Sequence, residues 1–345
     1  QVMQAAYLNY TIDHSLVAMI MVIKLTSFAF DWSDAQRLKP SKDPDSKYAE
    51  EHRRLAALKG RYPTLLAFLG YCFMFPGFLS GPVVSYSDYR RHFLRPSDPA
   101  AASGGRKRRV AQLMARTVVF AVGHVLLKTA FPHSQLLSEE WHDWPWWRRF
   151  LHIHFANMSS RFMYYTAWQL AEASFVSAGV GYNSATGRWD GVAIVHPVNI
   201  ELATDFRRIL TDWNITTNRW LHRYFYRRVG GGAVGDGFVK VVSSVWHGFY
   251  PGYYWTFLTA GLLTQLTKSV YRRVRWPLAP WLRPVVLFIP NWLITGYVMT
   301  PFVLLDWGKT IEFYTRCHWW GHAVLVVLLV LVSLLPNRAN RTKTE

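Results

Sequence analysis

The sequence has few cysteines and few acidic residues. Only two of its 345 residues are cysteines, Cys72 and Cys317, which excludes the disulfide framework that holds small secreted domains together. Aspartate and glutamate number 21 against 39 lysines and arginines, so the formal net charge is +18. An excess of basic residues is typical of proteins that bind nucleic acid, an anionic membrane surface or an anionic ligand. Because the basic residues lie in loops between apolar segments, we expect a membrane surface and no nucleic acid.

Several common catalytic signatures are also missing. The sequence has no Gly-x-Ser-x-Gly elbow, Walker A loop, His-Glu-x-x-His motif or Gly-x-Gly-x-x-Gly turn, and no histidine precedes an aspartate by five positions. His318 and His322 are four residues apart, a spacing that in a helix would allow them to share a face as metal ligands do, but only Cys317 accompanies them. We therefore interpret both as core or interfacial histidines, and we expect no metal and no cofactor.

Long apolar runs and aromatic residues are abundant. Hydrophobic residues make up 51% of the chain, with 17 tryptophans and 18 tyrosines, and amphipathic rings of this kind settle at membrane–water interfaces. We predict an all-α polytopic membrane protein with about seven or eight membrane segments and a single domain over 1–345. The main segments are 15–30, 63–82, 110–131, 150–181, 238–268, 284–305 and 318–336.

Two of these segments are predicted to be broken. Basic loops flank 63–82 on both sides, and Pro76 and Gly77 interrupt it, so we expect a re-entrant or broken helix. Segment 238–268 is interrupted by Pro251 and Gly252. Between the long helices, 182–237 reads as polar and irregular, with an amphipathic helix over 202–229 on the membrane surface. We expect the chain, which starts at Gln1 and ends in a basic tail, to be trimmed from a longer protein.

His247 is the most unusual residue of the apolar stretch "SSVWHGFYPGYYW". A histidine in such a place is usually a core residue bonded to a backbone carbonyl. The helix break at Pro251 and Gly252 favours a functional role instead, because broken helices at membrane depth line cavities. An imidazole in apolar surroundings stays neutral and can accept a proton. His247 is therefore a candidate general base. Arg161 and Glu172 are charges within an apolar helix, for which a functional and a paired structural role are equally open.

A second polar stretch, "DWNITTNRWLHRYFYRRV", precedes His247. Asn214 reads as a glycosylation acceptor, but its basic surroundings favour the cytoplasmic side. Asn218 lies four residues further on. Arg219 and Arg223 fit either a membrane surface or an anionic ligand such as a nucleotide phosphate, and the surface is the default interpretation.

These stretches resemble the membrane-bound O-acyltransferase (MBOAT) superfamily, and within it the lysophospholipid acyltransferases, closest to the broad-specificity fungal enzymes. "YPTLLAFLGYCFMFPGFLSGP", "YYTAWQLAEASFVSAGVGYN", "DWNITTNRWLHRYFYRRV" and "SSVWHGFYPGYY" each match a family motif. The last two motifs together, in this order, are highly specific. The early helix departs from the pattern, since it ends "DWSDAQR" where the family often has Asp-Gly. The resemblance also implies that the first membrane segments and a C-terminal signal of the family are missing.

The resemblance implies an MBOAT-type helical fold around a central chamber in the endoplasmic reticulum membrane. It implies that an acyl chain moves from acyl-CoA to the free hydroxyl of a lysophospholipid, with His247 as the catalytic histidine and Asn214 as its companion. Asn214 either donates to the developing oxyanion or orients the base. The residues expected to bind substrate are Trp213, Trp246, Thr217, Asn218, Arg219, Arg223, Tyr164, Tyr165, Glu172 and Tyr253.

Two alternatives remain open at the level of the sequence. The first is a family member with another acceptor: diacylglycerol, a sterol or a protein. The second is a polytopic transporter or scaffold in which buried histidine and arginine pair structurally. A transporter of that kind often has similarly interrupted segments in its two halves, and none is visible.

Overall fold

The computed structural model describes residues 15–39, 49–60, 62–94, 105–183, 186–274, 279 and 281–336. Arg61, Gln1 and the basic C-terminal tail lie outside these residues. The described part of the chain is helical and contains no strand, only an isolated bridge between Asn183 and Arg188. The all-α prediction is therefore confirmed.

The chain divides into two compact units, and two of the three divisions fall within long helices. The first unit comprises 1–111 and 171–192, and the second comprises 112–170 and 193–345. The prediction of one domain over 1–345 stays a prediction. The helices of the first unit, including the first residues of α6, are α1 (Ser15–Gln36), α2 (Ala49–Ala56), α3 (Leu65–Cys72), α4 (Phe75–Phe78), α5 (Tyr86–Tyr89) and α6 (Arg106–Ala130).

The remaining helices belong to the second unit, apart from the end of α8, which lies in the first. They are α7 (Glu139–Asp143), α8 (Trp146–Ser177), α9 (Pro197–Glu201), α10 (Phe206–Asp212), α11 (Ile215–Leu221), α12 (Gly232–His247), α13 (Pro251–Arg273), α14 (Leu282–Leu304), α15 (Trp307–Arg316) and α16 (Trp320–Leu334). Single π-helical turns follow α5 and α11, at Arg90–Leu94 and His222–Tyr226.

In the first unit, a buried lysine stabilises the break in segment 63–82. The helix α3 ends at Cys72 and α4 begins at Phe75, so the predicted break is present, although re-entry into a membrane stays a prediction. Lys24 of α1 is fully buried and donates to the carbonyls of Tyr71 and Cys72, at 3.0 and 2.9 Å. The last carbonyls of a helix have no partner within the helix, and Lys24 supplies one.

An ion-pair cluster joins α2 to α5 in the same unit. Asp88 pairs with Arg54 at 3.3 Å and with Arg91 at 2.5 Å, and Ser85 donates to it at 2.7 Å. Burial by itself would raise the pKa of Asp88, but the two guanidinium groups and the hydroxyl hold that pKa below its ordinary value. The carboxylate therefore stays charged and holds the two helices together.

In the second unit, α13 packs against α12, α14 and α16. Asn157 of α8 donates to the carbonyl of Gly296 at 3.0 Å and to the hydroxyl of Thr300 at 2.9 Å, which ties α8 to α14. Asn291 ties α14 to the carbonyl of Ala203 at 2.8 Å. Buried polar groups must find partners, and these two asparagines satisfy carbonyls between the helices.

Three helices of the described chain are long and apolar enough to cross a membrane, over Ser15–Gln36, Arg106–Leu137 and Leu282–Leu304. The bent pair α15 and α16, which meet at 75°, makes a fourth if the pair counts as one span. The number seven or eight includes helices that do not meet this criterion and stays a prediction. The helix α6 exposes a row of apolar side chains suited to lipid contact: Val118, Val119, Val122, Val125 and Leu126.

Two sequence predictions about local structure are wrong, and one spacing does not have the geometry it would have within a helix. The stretch 202–229 is not one amphipathic helix, because it is divided into α10, α11 and a π turn. The stretch 182–237 is less irregular than expected, because it contains α9 to α11 and the start of α12, which begins within the glycine cluster. His318 and His322 do not share a helix face: His318 has a left-handed φ of 49° in the break before α16.

Candidate active site

His247 is the last residue of α12, and the chain turns immediately after it. Gly248 has a φ of 125°, a conformation that glycine adopts without the strain a side chain would cause. Pro251 then opens α13 at its first position, where a missing N–H costs nothing. The predicted break at this site is therefore confirmed, and its turn leaves His247 at a helix end.

Four aromatic rings surround the imidazole of His247. Phe257 stacks on it with ring centroids 5.1 Å apart, and Phe302 meets it edge-on at 5.0 Å. Trp246 and Tyr253 approach it at 4.7 and 5.4 Å. The residue is only partly buried. The imidazole is thus fixed by rings from α12, α13 and α14.

His247 differs in its hydrogen bonding from two other histidines of the second unit, His152 and His322. His152 bonds to the carbonyl of Pro132 at 3.1 Å, and His322 bonds to the hydroxyl of Tyr297 at 2.7 Å. Within the described part of the chain, the ring of His247 makes no hydrogen bond. Its nitrogens therefore remain available to a substrate, unlike those of a core histidine bonded to a carbonyl.

The glycine after the break brings α13 close to the end of α14. The N–H of Gly252 donates to the carbonyl of Leu305 at 2.8 Å. A Cβ atom at this position would lie 2.1 Å from the carbonyl oxygen of Pro301 and 2.9 Å from the Cα of Leu305. Because Phe302 lies between those two residues and contacts His247, this close approach helps to fix the histidine's surroundings.

Asn214 lies in the short link between α10 and α11. Its φ of 41° and ψ of 58° are left-handed, a region that asparagine tolerates better than most residues. Ile215 donates to the carbonyl of Ile194 at 2.8 Å, and Asn218 closes the turn through its Nδ2, 2.9 Å from the carbonyl of Leu210. The Oδ1 atom of Asn214 is buried and has no hydrogen-bond partner among the described residues. An unpaired buried acceptor of this kind is costly and is often part of a binding or catalytic site.

The helices that carry the two candidate residues are in contact. Trp220 of α11 packs against Trp246 of α12 with centroids 5.9 Å apart, and Trp246 is the neighbour of His247. Asn214 precedes α11 directly. Both candidates therefore belong to one packed region of the second unit.

Trp213, Tyr164 and Tyr165 form an aromatic cluster beside Asn214. The ring of Trp213 meets those of Tyr164 and Tyr165 at 5.7 and 5.9 Å, and that of Trp168 at 4.9 Å. Three residues expected to contact substrate are thus brought together, with a structural role in holding the start of the Asn214 turn.

The other residues expected to bind substrate are distributed differently. Thr217 is buried in α11, whereas Arg219 is exposed, and Arg223 lies over the ring of Tyr224 at 5.1 Å. Glu172 is in the first unit, where Arg109 donates to it at 2.5 Å. For Glu172 the structure therefore shows a pairing role.

Sequence reasoning missed Glu201 and the pair of His196 and Asp212. Arg161, which the sequence marked as a buried charge, bonds to Glu201 at two atoms. His196 Nδ1 lies 2.6 Å from Asp212 Oδ1, just before Trp213. The signal that could have found Glu201 is the need of a buried arginine for a carboxylate, but its position 40 residues further along the chain gave no local cue. No group of three or more potential metal ligands occurs among the described residues.

The chain is similar in sequence to known membrane-bound acyltransferases. Membrane-bound glycerophospholipid O-acyltransferase 2 of Homo sapiens is 29% identical over 362 aligned residues, which cover 97% of this chain and 68% of the human protein. Lysophospholipid acyltransferase 2 of Arabidopsis thaliana and lysophospholipid acyltransferase of Schizosaccharomyces pombe are each 27% identical, covering 97% and 96% of this chain and 74% and 69% of the relatives. The model of the membrane-bound O-acyltransferase family matches residues 2–305. The chain belongs to the membrane-bound O-acyltransferase family.

Proposed function

We propose that this protein is an acyl-CoA-dependent lysophospholipid O-acyltransferase of the endoplasmic reticulum membrane, with His247 as general base. The similarity to acyltransferases named for glycerophospholipids and lysophospholipids supports the reaction class. The observation that carries the assignment of His247 is its imidazole, enclosed by four aromatic rings and making no hydrogen bond within the described chain.

The chemistry follows from the weakness of an alcohol as a nucleophile. A ring nitrogen of His247 accepts the proton of the lysophospholipid hydroxyl as its oxygen attacks the thioester carbonyl carbon. A new C–O bond forms, the C–S bond breaks, and the proton passes from the imidazolium to the departing CoA thiolate. General-base assistance of this kind contributes about 10²–10⁴-fold. The surrounding rings keep water, a competing acceptor, from the acyl group.

Asn214 acts on the same step in this proposal. Its amide either donates to the oxyanion that develops on the thioester carbonyl or orients the base, and removing one oxyanion donor costs on the order of 10²–10³-fold in kcat. The packing of α11 on α12 supports an action on the same substrate as His247. The left-handed backbone conformation at position 214 also favours asparagine, independently of any catalytic role.

The donor is proposed to enter beside α11. CoA carries several phosphates, and Arg219 and Arg223 lie on α11 and in the π turn that follows it. Guanidinium groups bind phosphate through paired hydrogen bonds. Trp246 and Tyr253, which contact His247, then border the acyl thioester. The proposed reaction uses acyl-CoA as a second substrate and needs no resident cofactor.

The test is acyl transfer by the complete protein in purified form. Labelled oleoyl-CoA is offered with a panel of lysophospholipids, diacylglycerol and a sterol, and we expect product only with lysophospholipids. His247→Ala and the similarly sized His247→Gln should each lower kcat at least about 100-fold while acyl-CoA binding and the unfolding temperature stay near wild type, because a base acts on the transition state. His142→Ala, at an exposed histidine, is the control.

Asn214 requires a variant that keeps its backbone conformation. Asn214→Ala would combine loss of the amide with strain at φ 41°, whereas Asn214→Gly removes the amide and accepts this conformation. We expect Asn214→Gly to lower kcat by about 10²-fold or more. Near-wild-type turnover of both folded His247 variants would overturn the proposed mechanism, and turnover of diacylglycerol or sterol alone would overturn the proposed acceptor.

A further inference from the structure

Glu201, at the end of α9, holds Arg161 of α8 through two hydrogen bonds. Arg161 Nε donates to Oε1 of Glu201 at 2.7 Å, and its Nη2 donates to Oε2 at 2.7 Å. The side chains are 14% and 16% exposed, so the pair is largely shielded from solvent. Two parallel charge-assisted bonds fix the orientation of both groups. The carboxylate therefore keeps one geometry and can hold a third group in place.

Tyr165 is that third group. It lies four residues after Arg161, on the same face of α8, and its hydroxyl donates to Oε1 of Glu201 at 2.8 Å. The side chain of Tyr165 is fully buried. Because both ends of the tyrosine are fixed, the orientation of its ring depends on the carboxylate as well as on packing.

The ring of Tyr165 is in contact with Trp213. The two centroids are 5.9 Å apart, while Tyr164 and Trp168 hold other sides of the tryptophan at 5.7 and 4.9 Å. Trp213 directly follows the last residue of α10, and its neighbour Asn214 directly precedes the first residue of α11. A displacement of the packed tryptophan would therefore also move the backbone that joins it to Asn214.

We propose that Glu201 is a positioning residue for acyl transfer: through Tyr165 and Trp213 it sets the direction in which Asn214 presents its side chain. This inference rests on the proposed action of Asn214 on the acyl group. The other side of the turn is anchored by the bond from the Ile215 N–H to the Ile194 carbonyl and by Asn218 Nδ2, whereas the aromatic cluster holds Trp213 on the side that leads to Glu201. Arg161 supplies the charge that keeps the carboxylate in place.

Tyr165→Phe is the sharpest test of the connection. The direct variant Glu201→Gln removes the counterion of a largely buried guanidinium and can fail to fold. Tyr165→Phe removes only the hydroxyl and leaves the ring against Trp213. We expect it to lower kcat about tenfold or more with KM for both substrates within about twofold, because small misplacements of an acting group reduce turnover.

Tyr297→Phe is the matched control. Tyr297 is fully buried, as Tyr165 is, and its hydroxyl also makes a short hydrogen bond, to His322 at 2.7 Å. The same substitution there should alter the unfolding temperature about as much as Tyr165→Phe does and leave kcat unchanged. A general loss of packing would affect both variants equally.

A double-mutant cycle gives the readout that a purely structural role would not change. If Tyr165 acts through Asn214, adding Tyr165→Phe to Asn214→Gly should lower kcat by less than about twofold further. Three results overturn the inference: wild-type turnover of folded Tyr165→Phe, additive effects in the cycle, or an equal loss of turnover in Tyr297→Phe. Each is distinct from failure of the proposed function, which is read from the His247 variants and the substrate panel.

Discussion

Gly252→Ala tests how closely α13 must approach the end of α14. The added Cβ atom would lie 2.1 Å from the carbonyl oxygen of Pro301 and 3.0 Å from the backbone N of Leu305. The contacted atoms belong to backbone, so no flexible side chain can move away to make room. The helix start must shift, and the bond from Gly252 N–H to the Leu305 carbonyl must lengthen or break.

The size of the effect follows from the steric clash and from the weakened hydrogen bond. Overpacking of this kind costs about 1–3 kcal/mol, and loss of one backbone hydrogen bond costs about 1 kcal/mol more. Gly252→Ala should therefore lower the free energy of unfolding by about 2–4 kcal/mol. Gly237→Ala is the matched control, because a Cβ atom there meets nothing within 4 Å. Within the helix α12, that change should raise the free energy of unfolding by up to about 1 kcal/mol.

The measurement is the unfolding temperature of both variants in the same detergent at the same scan rate, since membrane proteins often unfold irreversibly. Turnover is then compared at a temperature at which both variants are folded. Gly252→Ala should also have lower kcat, because Tyr253 and Phe302, which contact His247, follow the two displaced segments. Equal unfolding temperatures for Gly252→Ala and Gly237→Ala would refute the reasoning.

Two further predictions concern buried groups. Lys24→Met should lower the free energy of unfolding by about 1–3 kcal/mol, because the carbonyls of Tyr71 and Cys72 lose their donor, whereas Lys59→Met, which removes an exposed bond to one carbonyl, should change it by less than about 0.5 kcal/mol. Equal chemical denaturation of the two variants would show that Lys24 is not needed at the break. Cys72 and Cys317 are 2% and 3% exposed, so a maleimide should label neither thiol in the folded protein and both after denaturation, as mass spectrometry would show. Rapid labelling of the folded protein would contradict the packing around them.

The broken helices were predictable because their causes are local. A proline followed directly by a glycine favours the end of a helix, whereas a single proline is a weaker signal, since α14 continues through Pro290 and Pro301. The interruption before Pro251 could therefore be placed from the sequence to within a few residues. The same holds for the break between α3 and α4, near Pro76. The identity of the group that satisfies the free carbonyls there was not predictable, because Lys24 is 47 residues away along the chain.

The division of 202–229 had no local cause of that kind. The stretch from Phe206 to Leu221 contains no proline or glycine, and its polar pattern is compatible with a continuous helix. The interruption arises because Trp213 packs into the cluster of Tyr164, Tyr165 and Trp168, and because the turn bonds to Ile194. These tertiary contacts override local helix propensity, and no periodicity reveals them.

The candidate site shows the same division between local and long-range information. The motif around His247 indicated the residue and the break beside it, but the rings that enclose the imidazole include Phe302, 55 positions later by residue number. The resemblance to a family likewise indicated Asn214, but it did not indicate Glu201, whose carboxylate holds Tyr165 in place. Arg161 was recognised as a charge that needed explanation, and its partner Glu201 became evident only from the fold.

Asn214 also shows why a matching motif cannot by itself assign a role. A left-handed residue at a helix start favours asparagine or glycine for conformational reasons, and a buried amide beside a general base favours asparagine for chemical ones. Both reasons predict the same letter in the sequence. They separate only when the backbone requirement is kept and the amide is removed, which Asn214→Gly does. Retained turnover in that variant would assign the asparagine to the turn, and lost turnover would assign it to the chemistry.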